Sequence, residues 1–203
     1  MKYFKLKRFL DIIFSIVIVF FTLPLIVLIP LIIKLDSCGP IFYRAKRCGL
    51  NGRIFYIFKF RTMYDKSDVS KMTTSSNDDR VTKFGFYLRK YKLDELPQFF
   101  NVLIGDMSIV GPRPELPFYV SKYSEDEKRI LSVEPGITDF ASIEYYNLSE
   151  LIPDDHSNNF FENHILTKKN KLRLKYVDEI SLFTDCKIFF FTIVKLIKLI
   201  FRK

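Results

Sequence analysis

The sequence predicts a mainly helical α+β protein: an N-terminal membrane-seeking helix, a small β-hairpin, a compact helical core and a C-terminal amphipathic helix. Three observations lead there. Residues 12–33 hold no charged side chain, and only Ser15, Thr22 and two prolines interrupt their apolar run; about 20 such residues suffice to cross a bilayer. Two β-rich runs, 41–44 and 54–61, flank a stretch containing Asn51-Gly52, a hairpin signal. Over 185–203, Phe189, Ile193, Leu196, Ile197 and Ile200 share one helical face, and Lys187, Lys195, Lys198 and Arg202 form a basic stripe beside it. That pattern marks a helix lying at an anionic lipid surface. The chain thus divides into a membrane helix, 1–36, and a body, 37–203, that ends in the amphipathic segment.

The net charge is +9 over 203 residues, spread along the chain. Such a balance suits nucleic acid, an anionic membrane or phosphorylated substrates. No helix-turn-helix, zinc-finger or RNP pattern is present, which ranks nucleic acid last. Cys38, Cys48 and Cys186 are odd in number and lack Cys-x-x-Cys spacing, as expected of reduced thiols facing a cytosol.

Lys2, Lys5, Lys7 and Arg8 precede the apolar run; Lys34, Arg44, Lys46 and Arg47 follow it. Its length and basic exit, with no small-x-small site after it, argue against a cleaved signal peptide. Positive flanks favour the cytoplasm, and here both ends ask for it. A helix that enters, breaks and returns satisfies both, with Pro24 placed to bend it. Prolines also occur in straight membrane helices, so a straight span and a re-entrant hairpin both stand, with a fully buried core helix ranked third.

Within 54–61 both strand faces are largely apolar, and Lys59 and Arg61 should point the same way at the strand's end. Residues 64–79 read as a polar loop, followed by a short helix over 86–91 starting at Thr82 or Gly85. Ser124 with Glu127 forms a capping-box signal; residues 135–138, Pro-Gly-Ile-Thr, read as a turn. Residues 147–163 read as a loop or frayed helix, with His156 and His164 as surface side chains.

The chemistry concentrates in 92–115, KLDELPQFFNVLIGDMSIVGPRPE. Pro97 belongs in a first helical turn, which places a helix start near Asp94. Helix starts carry unpaired N–H groups and attract phosphate. Asp94 and Glu95 are hemmed by Leu93, Leu96, Phe99 and Phe100, with Arg89, Lys90 and Lys92 close in sequence. Neighbours on a helix point about 100° apart, so the two carboxylates do not share a proton as a dyad. Arg113, between two prolines after a glycine, is a guanidinium held with little entropy and suits a phosphate ester. Two carboxylates with a phosphate call for a cation, and Mg²⁺ prefers those oxygens.

These residues resemble the bacterial sugar transferases, the monotopic polyprenyl-phosphate phosphoglycosyl transferases. The likeness rests on Lys7-Arg8-Phe9-Leu10-Asp11, Lys59-Phe60-Arg61-Thr62-Met63, Arg80-Val81-Thr82-Lys83-Phe84-Gly85 with Arg89, the block from Leu93 to Pro114, and Pro135-Gly136-Ile137-Thr138, with Tyr176, Ser181 and 185–188 near the end. The resemblance implies transfer of a sugar phosphate from a UDP-sugar to polyprenyl phosphate, with release of UMP, at the cytoplasmic face of a bacterial inner membrane. It implies that Asp94 is the nucleophile, forming a phosphosugar-aspartate, and that Glu95 is tied to Mg²⁺, with Asp94 as its companion ligand. Lys59, Arg89 and Arg113 would hold phosphate charge, and Pro24 would break a re-entrant helix. Further partners would be membrane lipid and either downstream glycosyltransferases or a second copy. The chain departs from its relatives at Leu23, often Ser; at Cys48 and Asp79, usually Pro; and at 139–142, Asp-Phe-Ala-Ser, often Gly-Trp-Ala-Gln. The last region is implied to bear on which sugar is taken.

Overall fold

The computed structural model describes residues 2–65, 74–75, 77–153 and 157–201. Most of the expected loop over 64–79 lies outside these residues, as do His156 and Arg202.

Helix α1 spans Lys2–Asp36 without interruption, through Pro24 and Pro30. It is long and apolar enough to cross a membrane, and most of its surface is exposed. Its buried residues fall at two ends. Lys7, Asp11 and Ser15, four apart, form one buried stripe. Lys7 Nζ donates to Asp185 Oδ2 at 2.7 Å, and Asp11 accepts from Ser108 Oγ at 2.7 Å and Ile109 N at 3.1 Å. Arg8 donates to the carbonyls of Val102 (2.6 Å) and Leu103 (3.1 Å), satisfying the open end of a later helix. At the other end, Ile29 and Ile33 pack with Phe60 and Leu88, and Asp36 accepts from Phe84 N at 3.3 Å. Between the two anchors the rings of Phe20 and Phe21 are bare, 70% and 76% exposed. One body therefore holds both ends, while most of the apolar middle is exposed among the described residues.

Strands β1 (Phe42–Cys48) and β2 (Ile54–Phe60) form the expected antiparallel hairpin. Its connection is a 3₁₀ turn, Leu50–Gly52, in which Asn51 (φ 53°) and Gly52 (φ 75°) take the left-handed conformation. Beyond β2, Thr62 and Met63 meet Val81 and Thr82 through a short bridge. Helix α2 (Lys83–Lys90) then starts where Thr82 Oγ1 caps Gly85 N at 2.9 Å. A Cβ on Gly85 would lie 2.2 Å from Thr62 O, so only glycine lets α2 approach this closely.

The helix expected from Asp94 is divided. Leu93–Glu95 is a 3₁₀ turn, and α3 (Gln98–Ile104) begins after Pro97. Pro97 has no N–H for the Leu93 carbonyl, which instead accepts from Leu96 N at 3.3 Å, tightening the turn. Helix α3 ends at Gly105, φ 93°.

Residues 135–138 correct the reading as a turn. Gly136–Thr138 is strand β4, parallel to β3 (Ser108–Val110). Gly111 N donates to Thr138 O, and Gly136 N to Pro112 O, both at 3.0 Å. Between the two strands lie α4 (Pro117–Val120) and a 3₁₀ turn, Glu127–Ser132. The Ser124–Glu127 capping box forms in both directions, at 2.9 and 3.3 Å, but it caps the 3₁₀ turn and not an α-helix.

After β4 come α5 (Phe140–Glu144), α6 (Leu148–Leu151), α7 (Ser157–Phe160), a π-turn (Phe161–Leu166), α8 (Thr167–Asp178) and α9 (Leu182–Phe201). The 147–163 region is thus short helical pieces, and His164 is exposed with its ring against Phe160. Helix α9 starts three residues before the expected Asp185, because Ser181 Oγ accepts from Thr184 N at 3.1 Å. The core lies between the hairpin, α3, the parallel pair, α8 and α9, with Phe55, Ile57, Val102, Met107, Tyr176 and Ile188 at its centre.

A methyl group on Gly136 would sit 2.1 Å from Gly111 N. Gly136→Ala should therefore part β3 from β4 and cost more than about 2 kcal/mol. Thermal melting of the detergent-solubilised protein measures this; an unchanged transition would contradict the packing.

Candidate active site

Lys59, the residue before the end of β2, lies on the same strand face as Phe55 and Ile57. Asn101 fixes its register against α3. Its Oδ1 accepts from Phe58 N at 2.9 Å and its Nδ2 donates to Tyr56 O at 2.8 Å, so one side chain pairs the strand's open edge. Lys59 Nζ thereby reaches Glu95 Oε1 at 2.7 Å and stands 3.8 Å from Asp94 Oδ2. Arg61 does not follow it. The strand ends at Phe60, and Arg61 turns to the carbonyls of Ser37 (2.6 Å) and Cys38 (2.7 Å), tying down the exit of α1.

Arg113 arrives from the other side. Its backbone N donates to Asp139 Oδ2 at 2.9 Å, its Nη1 donates to Ile137 O at 2.6 Å, and its Nη2 donates to Glu95 Oε1. The parallel strand pair and two prolines thus aim one guanidinium at the oxygen that Lys59 already holds. Arg89, on α2, donates from Nε to Thr62 Oγ1 at 2.7 Å and is an electrostatic neighbour of Asp94. Four of the five expected side chains, Lys59, Asp94, Glu95 and Arg113, meet in direct contact or at ion-pair distance, and Arg89 flanks them.

The two carboxylates differ. Burial alone would raise Glu95, but Arg113, Lys59 and Lys92 together hold it well below the ordinary range, so it stays ionised. Burial raises Asp94, with Glu95 adding to the effect and Lys59 and Arg89 opposing it. Burial also pulls the Lys59 ammonium below the usual lysine range, against the attraction of both acids. Glu95 is committed to two cations. Among the described residues Asp94, 7% exposed, makes no hydrogen bond through its carboxylate and has only the more distant Lys59 as an ion-pair partner. No cluster of three His, Cys, Asp or Glu residues occurs among the described residues. The adjacent pair therefore fits a cation that takes one or two carboxylates and completes its shell with water and phosphate, as Mg²⁺ does, and not a closed zinc site.

Behind Arg113 stands a second, buried ion network that sequence reading missed. Arg173 of α8, fully buried, donates to Glu115 Oε1 at 2.7 Å and to Asn170 Oδ1 at 2.9 Å, with Asp139 Oδ2 at 3.8 Å from its Nε. Lys169 Nζ lies 3.6 Å from Glu115, and burial lowers its ammonium to about 8. Asp139, one of the departures from the relatives, is completely buried and also takes Ser142 N at 2.6 Å. Its carboxylate braces the backbone N–H groups of Arg113 and Ser142. The available signal was Asn101 as the lone polar residue in an apolar run.

Burial opposes charge on Glu115, but Arg173 and Lys169 hold it down to about 2. Such a depressed carboxylate adds stability that is complete above the ordinary value of 4.5 and is lost as pH falls toward about 2. Arg173→Met should cost roughly 3 kcal/mol or more at neutral pH, and adding Glu115→Gln should recover part of it. The gap between wild type and Arg173→Met should narrow on acidification below 4.5. Denaturant unfolding across pH checks this; a gap that is constant with pH would remove Glu115 from the account.

A family model described as bacterial sugar transferase matches residues 2–199. The chain is 40% identical over 195 residues to undecaprenyl-phosphate glucose phosphotransferase of Komagataeibacter xylinus, covering 92% of this chain and 35% of that protein. It is 38% identical to the uncharacterized sugar transferase EpsL of Bacillus subtilis, covering 95% of this chain and 87% of that one. Against the UDP-glucose:undecaprenyl-phosphate glucose-1-phosphate transferase of Escherichia coli it is 37% identical, covering 94% and 40%. The chain thus spans little more than a third of two of these relatives and most of the third. By the extent of these matches, it belongs to the bacterial sugar transferase family.

Proposed function

We propose that the protein is a phosphoglycosyl transferase that moves a sugar-1-phosphate from a UDP-sugar to undecaprenyl phosphate and so starts assembly of a lipid-linked glycan. The observation that carries this reading is the division of labour between the carboxylates: Glu95 Oε1 held by both Lys59 and Arg113, and Asp94 buried beside it with only Lys59 at 3.8 Å. The names of the relatives supply the substrate classes.

An Asp94 oxygen attacks the phosphorus that carries the sugar. The bond from that phosphorus to the bridging oxygen breaks, and its electron pair leaves with UMP. A phosphosugar-aspartate remains. An oxygen of the lipid phosphate then attacks the same phosphorus, the bond to Asp94 breaks, and the carboxylate is regenerated. Lys59 and Arg113 neutralise equatorial phosphate oxygens as charge develops, fixed in advance by Glu95. Arg89 serves the flank nearer Asp94. Mg²⁺ held by Asp94 and Glu95 would neutralise diphosphate charge when bound.

The setting supports chemistry at a lipid boundary. A helix crossing about 30 Å of hydrocarbon leaves its ends on opposite sides, yet both ends of α1 rest on one body. We infer that α1 enters the cytoplasmic leaflet of the inner membrane and returns, bending at Pro24. Helix α9 buries Ile188 and exposes Phe183 (80%), Phe190 (62%) and Phe201 (79%), consistent with a helix lying in the interface.

Asp94→Asn should abolish UMP release from UDP-sugar in membranes supplied with polyprenyl phosphate, by at least about 10³-fold; full activity would remove Asp94 from the mechanism. Because Asp94 is raised and must be ionised to attack, kcat/KM should fall with acid at a pH above the ordinary aspartate value. A profile flat down to about pH 4 would contradict that. Single cysteines placed before Phe9 and after Lys34 should label from the same side of the membrane; labelling from opposite sides would refute the re-entrant path.

A further inference from the structure

The hairpin register puts another guanidinium on the side of the sheet that carries Lys59. Tyr43 pairs with Lys59 and Arg47 with Phe55, so Tyr43, Ala45 and Arg47 share the face of Phe55, Ile57 and Lys59. Arg47 emerges at the end of β1 beside the Arg113 loop, because Cys48 N donates to Glu115 O at 3.0 Å. Its Nη1 donates to a backbone carbonyl, Lys46 O, at 2.9 Å.

Among the described residues no carboxylate lies at ion-pair distance from Arg47. Its charged neighbours are Glu115, Arg113 and Glu95, with the Tyr43 phenol beside them. Both acids are already engaged: Glu95 Oε1 by Lys59 and Arg113, Glu115 Oε1 by Arg173 and Lys169. Half-buried and unmatched, this guanidinium presents several donors in a fork suited to phosphate.

Its surroundings meet those of Arg89 at Tyr43 and differ in the carboxylates. Asp94 is an electrostatic neighbour of Arg89 but not a leading one of Arg47. Helix α2, which carries Arg89, packs Leu88 on Ile29 and Ile33 of α1 and exposes Phe86 (50%) and Tyr87 (55%). That flank adjoins α1. Arg47 stands beside the Arg113 loop and the Glu115 carboxylate of the α8 network.

We propose that Arg47 is a further substrate-binding residue, holding the phosphate of the sugar nucleotide that departs with the nucleoside. The proposal rests on the transferase reading above. With the sugar-bearing phosphorus at Asp94, the second phosphate extends past Arg113 toward Arg47. When the bridging bond breaks, its electron pair makes that phosphate a dianion, and the free guanidinium neutralises it.

Initial rates of the full-length, membrane-bound enzyme, with each substrate varied, test this in Arg47→Ala and Arg47→Lys. Arg47→Ala should raise KM for the UDP-sugar roughly 10-fold or more and weaken inhibition by UMP by a similar factor. Its KM for polyprenyl phosphate should stay within about twofold, and Arg47→Lys should fall between alanine and wild type. Unchanged nucleotide KM and UMP inhibition would overturn the proposal. So would a rise confined to KM for polyprenyl phosphate, which would assign Arg47 to the lipid phosphate. Should the alanine variant fail to fold, judged by melting without nucleotide, the same comparison in Arg47→Lys and Arg47→Gln decides. A wild type that releases no UMP from any UDP-sugar sinks the transferase reading itself, whereas an active wild type with indifferent Arg47 variants sinks only this assignment.

Discussion

Lys59 and Arg113 reach one oxygen of Glu95 from opposite directions, one along a strand and the other from a loop braced by a parallel strand pair. Everything placed around that meeting point constrains one of its two approaches. Asn101 sets the height of Lys59 by pairing the open edge of β2. Gly111 and Gly136 let β3 and β4 come within contact distances that a Cβ would forbid, and so set the height of Arg113. The consequence falls on the neighbouring residue. With both cations drawn to Glu95, Asp94 is left buried, short of partners and harder to ionise, the state of a side chain kept in reserve for a ligand.

A buried cluster of charges is costly to assemble unless each member is paired. The network behind Arg113 meets that condition through redundancy: Glu115 has two cations, and Asp139 serves Arg113 N, Ser142 N and the neighbourhood of Arg173. The apolar surface is distributed differently. Much of it lies on α1 and α9, outside the protein core. Lys7, Asp11 and Asp185 fasten these helices to β3 and α8, with Tyr176 OH reaching Asp185 at 2.8 Å. The two exposed apolar helices are thereby tied to the elements around the site through the same few polar bonds.

Much of the site was legible in the sequence because its residues sit in short, chemically unusual blocks. Adjacent acids before a proline, and an arginine locked between prolines, carry their geometry locally. The hairpin was legible for the same reason, from Asn51-Gly52 between β-rich runs. What escaped was long-range. Strand β4 looks like a turn because Pro135-Gly136 is a turn signal; it becomes a strand only through bonds to residues about 25 positions earlier in the chain. Arg173 is one basic residue among many on α8, and nothing local announces that Glu115 and Asp139 surround it. The start of α3 slipped from Asp94 to Gln98 because one missing N–H at Pro97 was enough to tighten the preceding turn.

The proposed reaction passes through a covalent bond between one aspartate and the sugar's phosphate. Intact-protein and peptide mass spectrometry after rapid quenching reads it directly. The enzyme is mixed with UDP-sugar and Mg²⁺ in membranes stripped of polyprenyl phosphate. The account predicts a mass increase of one phosphosugar on the peptide containing Asp94, together with at most one equivalent of UMP, and loss of the adduct when lipid phosphate is added. An unmodified peptide, with UMP appearing only after the lipid is supplied, would contradict it.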